Sequence, residues 1–419
     1  MAFDPRQVLG AFLTLTMFAM LANMIKKDHF DTMEVKIPDV STLQFSTIKV
    51  TEQSLVSFPR LIKGPWKEDD LELKPCWMNP EFKAKSSKGF ITFSLTRGPE
   101  YHASQIADAV VVARYLGAAL VLPDIKGSKP GTTRSFQEIY DVEKFVRSLD
   151  GVVEVVKDKP AEISTGRLTG VRVPNRVTGN YIAEQVEPIF REKGSLRLVT
   201  YFPSVNMRKS EEKKDLESVS CLAMFGTLEL QPEVHEVVDS MVERLRTLSR
   251  KTDGKFIAVD LRIEMLEKRG CQEKITSGRK SCYDPEEIGM FLKRIGFGRD
   301  TTIYLTQTVW HSSLDVLKDM FPKTYTKEEM IPADKKTKFL NSENSELEKV
   351  LDFYVCSQSD VFLPAISGLF YANVAGKRIA SGRTQVIVPA QVVPSLASAA
   401  DFISPYISKK NHMAYSCFC

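Results

Sequence analysis

Apolar residues follow two spacings along the chain, and the change from one to the other predicts successive strands and helices. Residues 89–95 form a short β-rich apolar run that ends in the turn at Gly98-Pro99. Residues 104–116 carry apolar side chains at helical spacing, and residues 118–122 form a second apolar run. A strand, a turn, a helix and a strand within about 35 residues predict a βαβ unit.

The same order of elements returns in the second half of the chain. A helical pattern over 231–250 precedes an apolar strand over 255–263. Asp284-Pro285-Glu286-Glu287 has the residue order of a helix start, with Asp as the cap and Pro at the first position. The patterns predict two αβ blocks, 86–245 and 246–405, each with a mostly parallel sheet. Further strands are predicted at 301–306, 360–364 and 385–388, and further helices at 346–356 and 367–375.

Composition and missing motifs exclude several classes of protein. The 419 residues are 43% apolar and 26% charged, which is typical of a globular protein. The net charge of +4 is too small to predict a nucleic-acid partner. The chain has no G-x-G-x-x-G after a strand, no Walker A motif, no H-E-x-x-H, no D-x-D and no G-x-S-x-G. Its five histidines are scattered, so we expect no metal site.

The amino terminus predicts a membrane anchor. Residues 8–25 carry no charge and are just long enough to cross a bilayer. No convincing small-residue cleavage motif follows, so an uncleaved anchor within residues 1–30 fits better than a secretory peptide. A buried helix is the alternative. Arg6 and the amino terminus, set against the two lysines after the stretch, slightly disfavour a lumenal carboxyl-terminal part. Residues 31–85 are expected to form a stem with local packing.

The seven cysteines are too few for a disulfide scaffold but allow one or two bridges. Cys271 and Cys282 flank a short loop rich in Gly, Ser and Lys, and they form either a local disulfide or two free thiols. Cys417 and Cys419 lie too close together for a comfortable bridge between them. They belong to a tail, residues 406–419, that we expect to be mobile.

The most informative polar cluster is Asp260-Leu261-Arg262-Ile263-Glu264, at the carboxyl end of a predicted strand. Open αβ sheets bind their ligands at such ends. Strand alternation points Asp260, Arg262 and Glu264 to one side. An arginine held there can donate two parallel hydrogen bonds to a phosphate. The alternative is a solvent-facing strand end with a salt bridge.

Two further turns are candidates for ligand contact. Ser359-Asp360-Val361-Phe362 lies at a strand edge, and Ser367-Gly368 opens the next predicted helix. Hydroxyl groups and amides at a helix start suit an anion, whereas a capped, buried turn is the alternative. Residues 97–102 form a polar turn between the first strand and its helix, which includes Glu100 and His102.

Several phrases of the chain resemble the plant O-fucosyltransferase-like glycosyltransferases, and within them the mannan-synthesis-related group. The phrases FIAVDLRIEML, TTIYLTQT and LDFYVCSQSDVFLPAISG match that family in order and spacing, and the resemblance covers most of residues 86–395. It implies a GT-B fold, in which two Rossmann-like domains face each other across a cleft. It further implies a GDP-sugar donor, an inverting transfer that requires no metal or other cofactor, and a type II Golgi membrane protein with a lumenal catalytic part.

The resemblance also assigns residues, with two departures. The arginine that binds the donor diphosphate matches Arg262, and the phrase lining the nucleotide pocket matches Ser359, Asp360 and Phe362. In the family, the first turn reads G-G-x-N-Q-x-R. This chain keeps the glycine at Gly98 but lacks the asparagine and the arginine. The family's H-x-R histidine is replaced by Asp260, which cannot donate a hydrogen bond to phosphate when ionised and would repel it. A changed donor, such as GDP-mannose in place of GDP-fucose, or a changed acceptor is therefore expected.

Inversion needs a base that takes the proton of the acceptor hydroxyl. The candidates in declining order are Asp260, Glu100, Glu264 and His102. The expected donor-binding residues are Gly98, His102, Arg262, Glu264, Ser359, Asp360, Phe362 and Ser367.

Three functions compete. The first is an active Golgi glycosyltransferase of cell-wall mannan or glucomannan synthesis, which binds a GDP-sugar and a polysaccharide acceptor. The second is a non-catalytic partner of a membrane polysaccharide synthase. The third is an unrelated nucleotide enzyme such as a dehydrogenase, which the missing glycine fingerprint disfavours.

Overall fold

A computed structural model describes ten stretches of the chain. They are residues 65–67, 73–77, 87–96, 98–127, 129–164, 168–209, 216–269, 280–340, 345–391 and 393–419. The predicted anchor, most of the predicted stem, Arg97 and Cys271 lie outside these stretches. Within them, no helix combines the length and the apolar character that a membrane crossing requires.

The first αβ block is built around one seven-stranded sheet, as counted over the described residues. Its central strand β1 pairs in parallel with β7 on one side and with β2 and β3 on the other. Strand β6 pairs with β7 and β5 pairs with β2, both in parallel, and β4 runs antiparallel beside β3. The strands are β1 (Phe90–Leu95), β2 (Ala119–Val121), β3 (Asp124–Lys126), β4 (Thr133–Ser135), β5 (Val155–Val156), β6 (Thr169–Pro174) and β7 (Ser195–Tyr201).

The second αβ block has a smaller sheet, which is parallel throughout. Its order is β10-β9-β8-β11, with β8 (Phe256–Asp260), β9 (Thr302–Leu305), β10 (Thr324–Tyr325) and β11 (Val361–Pro364). Every residue of β8, β9 and β11 is buried. Helices cover both faces of such a sheet, which explains why these strands are nearly continuous apolar runs in the sequence.

The helices begin and end where the sequence carries cap residues. The first helix has Pro99 at its first position and ends at Gly117, whose positive φ of 65° favours glycine. Asp284 and Glu287 form the predicted capping box of the helix that begins at Pro285. Over the described residues the α-helices are α1 (Pro99–Leu116), α2 (Val142–Ser148), α3 (Ala161–Ser164), α4 (Gly179–Tyr181), α5 (Glu187–Lys193), α6 (Glu217–Phe225), α7 (Pro232–Leu248), α8 (Ile263–Arg269), α9 (Pro285–Arg294), α10 (Asp315–Met320), α11 (Lys327–Met330), α12 (Lys336–Phe339), α13 (Ser345–Gln358), α14 (Leu369–Ala380), α15 (Pro405–Ser408) and α16 (Ala414–Cys417).

Two αβ blocks with mostly parallel sheets are therefore present, as the sequence predicts, but the border between them differs. The predicted border at residues 245 and 246 places most of helix α7 in the first block. Its apolar face, with Val234, Val238, Met241 and Leu245 at spacings of three and four, is buried. Helix α7 packs against α13 and β9, so it belongs to the second block. The strand predicted at 385–388 forms only isolated bridges, to Phe362 and to Ile403.

The carboxyl-terminal tail is held by covalent bonds, which corrects the expectation that it is mobile. Cys419 forms a disulfide with Cys76 of the predicted stem, and Cys417 forms one with Cys221 of α6. The backbone N–H of Cys76 also donates to the carbonyl of Cys417, at 2.9 Å. Cys282 is disulfide-bonded as well, whereas Cys271 lies outside the described residues.

Contacts between helices join the two blocks. Helix α1 of the first block packs against α13 and α14 of the second. Helix α16 of the tail contacts α14 and also α6, so the tail bridges the blocks on one side. The carboxyl end of β1 is thereby held opposite the carboxyl ends of the second sheet.

The tail disulfide predicts a large contribution to stability. The bond between Cys221 and Cys417 joins residues 196 positions apart, and losing it frees a long loop in the unfolded chain. We expect the double variant Cys221→Ser/Cys417→Ser to lose about 2–5 kcal/mol of the free energy of unfolding. Denaturant titration of the full chain under non-reducing conditions measures this loss. A midpoint equal to that of the wild type would contradict it.

Candidate functional site

The second sheet has a point where its connections change direction. The chain leaves β8 for β9 on one side and later returns as β11 on the other side. The carboxyl ends of β8 and β11 meet in register, with Asp260 beside Pro364. Open αβ sheets bind ligands in the crevice at such a switch point. Arg262 follows β8 and lines a cavity of this crevice, whereas Ser367, which follows β11, is buried and donates its hydroxyl to the carbonyl of Ser281 at 3.1 Å.

Arg262 is held in the crevice from two sides. Its Nη2 atom lies 3.0 Å from Oδ1 of Asp260, and its guanidinium lies over the ring of Phe370, 5.2 Å from the centroid. The side chain is 21% exposed. Its Nε atom is buried and has no hydrogen-bond partner among the described residues. A fixed guanidinium with a donor to spare is suited to binding an anion.

Asp260 orients this arginine and does not face the crevice as a free carboxylate. Its side chain is 1% exposed, and Oδ1 also accepts a hydrogen bond from Thr306 Oγ1, at 3.1 Å. Burial alone would lower the pKa of Arg262, but the nearby carboxylates, above all Asp260, raise it above its usual value. The negative charge of Asp260 is therefore neutralised by Arg262, and the aspartate is poorly placed to act as the base.

A polar network beyond β9 forms the wall of this crevice. The side chain of Gln307 accepts a hydrogen bond from the N–H of Ile263 at 2.9 Å and donates one to Glu264 at 3.2 Å. Glu264 itself is exposed at the rim of the crevice. Lys327 is buried and pairs with Asp352 at 2.8 Å. Burial raises the pKa of Asp352 to about 6, although Lys327 and a hydrogen bond from a tyrosine oppose this shift. Within the described ranges no group of three His, Cys, Asp or Glu side chains has the geometry of a metal site.

Glu100 approaches from the first block. It lies in the first turn of α1, and its carboxylate lies so close to Gly98 that a Cβ atom there would clash with it. Its Oε2 atom is buried and has no hydrogen-bond partner among the described residues. Burial raises the pKa of Glu100, while its own backbone N–H, Lys349 and Arg262 act in the opposite direction. These electrostatic interactions bring Glu100, Arg262 and Lys349 into one site.

Two cavities meet at this site. The larger, of about 860 Å³, extends from Glu100 over the carboxyl ends of β1 and β3. The smaller, of about 120 Å³, lies beside Arg262, Glu264 and Asp352. Lys349 lines both of them. The larger volume is within the range of roughly 300–1,000 Å³ that is typical of ligand pockets.

The structure does not bring His102 to the cleft. The side chain is fully buried, with Nε2 2.7 Å from the carbonyl oxygen of Thr96 and Nδ1 2.7 Å from the hydroxyl of Tyr140. Because the carbonyl only accepts, Nε2 carries the proton and Nδ1 accepts from the tyrosine. Burial lowers the pKa of His102 to about 4, so it is a neutral core residue. It is therefore unavailable to the donor or as a base.

Three residues expected in the nucleotide pocket lie elsewhere. Asp360 precedes β11 and accepts the N–H of Phe256, the first residue of β8, at 3.0 Å. This is the amino edge of the sheet, about 13 Å from the carboxyl edge at roughly 3.3 Å per residue. Ser359 accepts a hydrogen bond from Arg378 at 3.0 Å, and Phe362 is fully buried in β11.

Comparison with known proteins identifies the family. A family model described as GDP-fucose protein O-fucosyltransferase matches residues 98–380. The chain belongs to the O-fucosyltransferase family. It is 56% identical to "Protein MANNAN SYNTHESIS-RELATED 2" of Arabidopsis thaliana and 51% identical to "Protein MANNAN SYNTHESIS-RELATED" of Trigonella foenum-graecum, over 100% of each chain. It is 27% identical to "O-fucosyltransferase 11" of Arabidopsis thaliana, over 72% of this chain and 58% of that one.

Solved structures similar to this O-fucosyltransferase family member include POFUT1 in complex with GDP. The match has a TM-score of 0.42 and 14% identity, and covers 70% of this chain and 96% of POFUT1. NodZ alpha-1,6-fucosyltransferase soaked with GDP-fucose matches with a TM-score of 0.40 and 13% identity, over 72% of this chain and 95% of NodZ.

Two parts of the site in this O-fucosyltransferase family member were missed from the sequence. Thr306-Gln307-Thr308 is a polar run directly after an apolar strand, and strand ends of this kind are detectable signals. Lys349 lies inside α13, a helix with apolar and charged residues throughout. No feature of the sequence distinguishes Lys349 from a solvent-facing lysine.

The burial of His102 predicts acid sensitivity. The unfolded chain protonates this histidine below about pH 6.5, whereas the folded protein does so only near pH 4. The contribution of neutral His102 to the free energy of unfolding is therefore fully present above pH 6.5. This contribution falls by up to about 1.4 kcal/mol per pH unit as the pH drops toward 4. We expect His102→Gln to lose less stability than the wild type between pH 6.5 and 5. The exposed His235→Gln is the control, and equal pH slopes in all three proteins would contradict this expectation.

Proposed function

We propose that this protein is a glycosyltransferase that uses a GDP-sugar donor, GDP-mannose or GDP-fucose, in the synthesis of cell-wall mannan or glucomannan. The observation that carries the proposal is Arg262, fixed by Asp260 at the switch point of the second sheet and facing the first block across a cleft. The family description names GDP-fucose, and the two relatives at 56% and 51% identity are named for mannan synthesis. These names support the donor class and the polysaccharide, respectively.

Transfer from a GDP-sugar passes through an oxocarbenium-like transition state, with negative charge growing on the departing diphosphate. Arg262 meets this charge with a guanidinium that is already oriented, so little reorganisation accompanies the reaction. The amino terminus of α14 adds backbone N–H groups at the same edge, since Gly368 caps this helix without a side chain. Neither contribution requires a metal ion, and we propose a metal-independent, inverting transfer.

Glu100 is the base that this geometry favours. Asp260 is occupied by Arg262 and Thr306, and Glu264 is exposed and accepts from Gln307. Glu100 lines the larger cavity, and its Oε2 atom has no hydrogen-bond partner among the residues that the structure describes. Burial raises its pKa above the usual value of a glutamate, and a carboxylate with a raised pKa is a stronger base.

We further propose a Golgi location, with the residues after the anchor in the lumen and the anchor at residues 8–25. The disulfides from Cys417 and Cys419 support this orientation, because disulfides persist in the oxidising secretory pathway and are rare in the cytosol.

A second function is favoured by the altered first turn. With Glu100 in place of the family's asparagine, the turn presents a carboxylate where the family pattern has a hydrogen-bonding amide. A partner of a polysaccharide synthase that binds a GDP-sugar without transferring it would tolerate this change. Binding of a GDP-sugar without release of GDP in the presence of mannan or glucomannan acceptors would identify this function.

Replacing Arg262 tests the donor site. We expect Arg262→Ala to weaken the binding of GDP and of the GDP-sugar, and to lower transfer by about 10²–10³. Calorimetric titration of the full chain with GDP, GDP-mannose and GDP-fucose measures the affinity and identifies the donor. The exposed Arg299→Ala is the matched control. Transfer by Arg262→Ala within about threefold of the wild type would refute the assignment.

Replacing Glu100 separates catalysis from binding. We expect Glu100→Gln to lower kcat by about 10²–10⁴ and to leave donor affinity equal or higher, because a carboxylate no longer faces the diphosphate. In the wild type, kcat should fall as the pH drops through the raised pKa of Glu100, while donor affinity rises. The variant should lack both dependences. GDP-sugars suit this measurement because their esterified diphosphates do not titrate in this range, and an unchanged kcat would exclude Glu100 as the base.

A further inference from the structure

Lys349 is a cation of the cleft that reaches both of its cavities. It lies on α13, is partly buried, and lines both cavities. Within the described residues it makes no ion pair within 4.0 Å and no hydrogen bond. The other two cations of the smaller cavity are already paired, Arg262 with Asp260 at 3.0 Å and Lys327 with Asp352 at 2.8 Å.

Close carboxylates reduce the attraction that two cations of the smaller cavity, Arg262 and Lys327, exert on an anion. Asp260 neutralises much of the field of Arg262, and Asp352 does the same for Lys327. Glu100 adds a negative charge on the side of the first block. A diphosphate brings about two negative charges, so a cation without a close carboxylate makes its transfer from water into the cleft more favourable.

The position of Lys349 meets this need. Of the surrounding cations, Lys349 acts on Glu100 most strongly, ahead of Arg262. It lies where the cavity that contains Arg262 opens into the cavity that contains Glu100. An ammonium group on a flexible four-carbon chain can move between two anions that are several ångströms apart.

We propose that Lys349 binds the diphosphate of the donor together with Arg262, and that in the empty cleft it balances the charge of Glu100. The inference rests on the proposed function. Donor binding then draws Lys349 away from Glu100, which leaves the carboxylate free to accept the proton of the acceptor hydroxyl. Lys349 is a donor-binding residue that carries recognition of the diphosphate rather than of the guanosine.

The test compares three ligands and three variants of the full chain. GDP, GMP and guanosine are titrated into the wild type, Lys349→Met, Lys349→Arg and Lys293→Met. Lys293→Met removes a charge from the exposed surface of α9 and is the matched control. A hydrogen bond to a charged group contributes about 1.5–3 kcal/mol, so we expect Lys349→Met to weaken GDP about 10- to 100-fold. Guanosine should be unaffected, GMP should be weakened less than GDP, and Lys349→Arg should recover most of the loss.

Each outcome decides the inference. Loss confined to the phosphorylated ligands, and largest for GDP, supports it. Equal GDP affinity in the wild type and Lys349→Met would overturn the assignment of Lys349 and leave the proposed function intact. An equal loss for guanosine would also overturn it, because the substitution would then act on the nucleoside pocket. No binding of GDP by the folded wild type would remove both the proposed function and this inference.

Discussion

The ion pair between the buried Asp260 and the partly exposed Arg262 is the interaction on which the candidate site depends. A charge at the end of a fully buried strand is costly unless it is paired and hydrogen-bonded. Asp260 meets both conditions, because Arg262 pairs with it and Thr306 donates to it. The pair fixes the guanidinium in the crevice, where Phe370 supports its other side. The aspartate thus fixes the position of the arginine, but its negative charge also weakens the attraction of the arginine for a bound anion.

The opposite wall of the cleft belongs to the first block, and contacts between the two blocks position it relative to this ion pair. Glu100 reaches the site only because β1 ends there and α1 begins there, and α1 packs on α13 and α14. The tail also links the two blocks. It forms one disulfide to α6 and one to Cys76, which precedes the first sheet. A cleft between two sheets is sensitive to small shifts, so contacts that cross between the blocks decide whether its charges meet.

The sequence predicts elements well and the ends of elements less well. The change between strand and helix spacing located β1, α1, β8 and β11, and the position of Arg262 after a strand located the crevice. Asp360 was misplaced because a polar residue beside a strand can lie at either edge of the sheet, and it precedes its strand. His102 and Lys349 could not be placed from the sequence. The burial of His102 and the position of Lys349 at the cleft both depend on packing between distant segments. The bond between Cys76 and Cys419 depends likewise on contacts across 343 positions.

The two departures from the family pattern both add negative charge to a site that would bind a dianion. Asp260 stands for a histidine and Glu100 for an asparagine. In a site that had lost its ligand, such carboxylates would be a burden, because buried charges without partners cost stability. Here Asp260 is paired with Arg262, and Glu100 faces Lys349 and Arg262. Asp260 therefore has a compensating cation, and the attraction of Glu100 to Lys349 and Arg262 opposes part of the effect of its burial, which agrees with a cleft that still binds an anion.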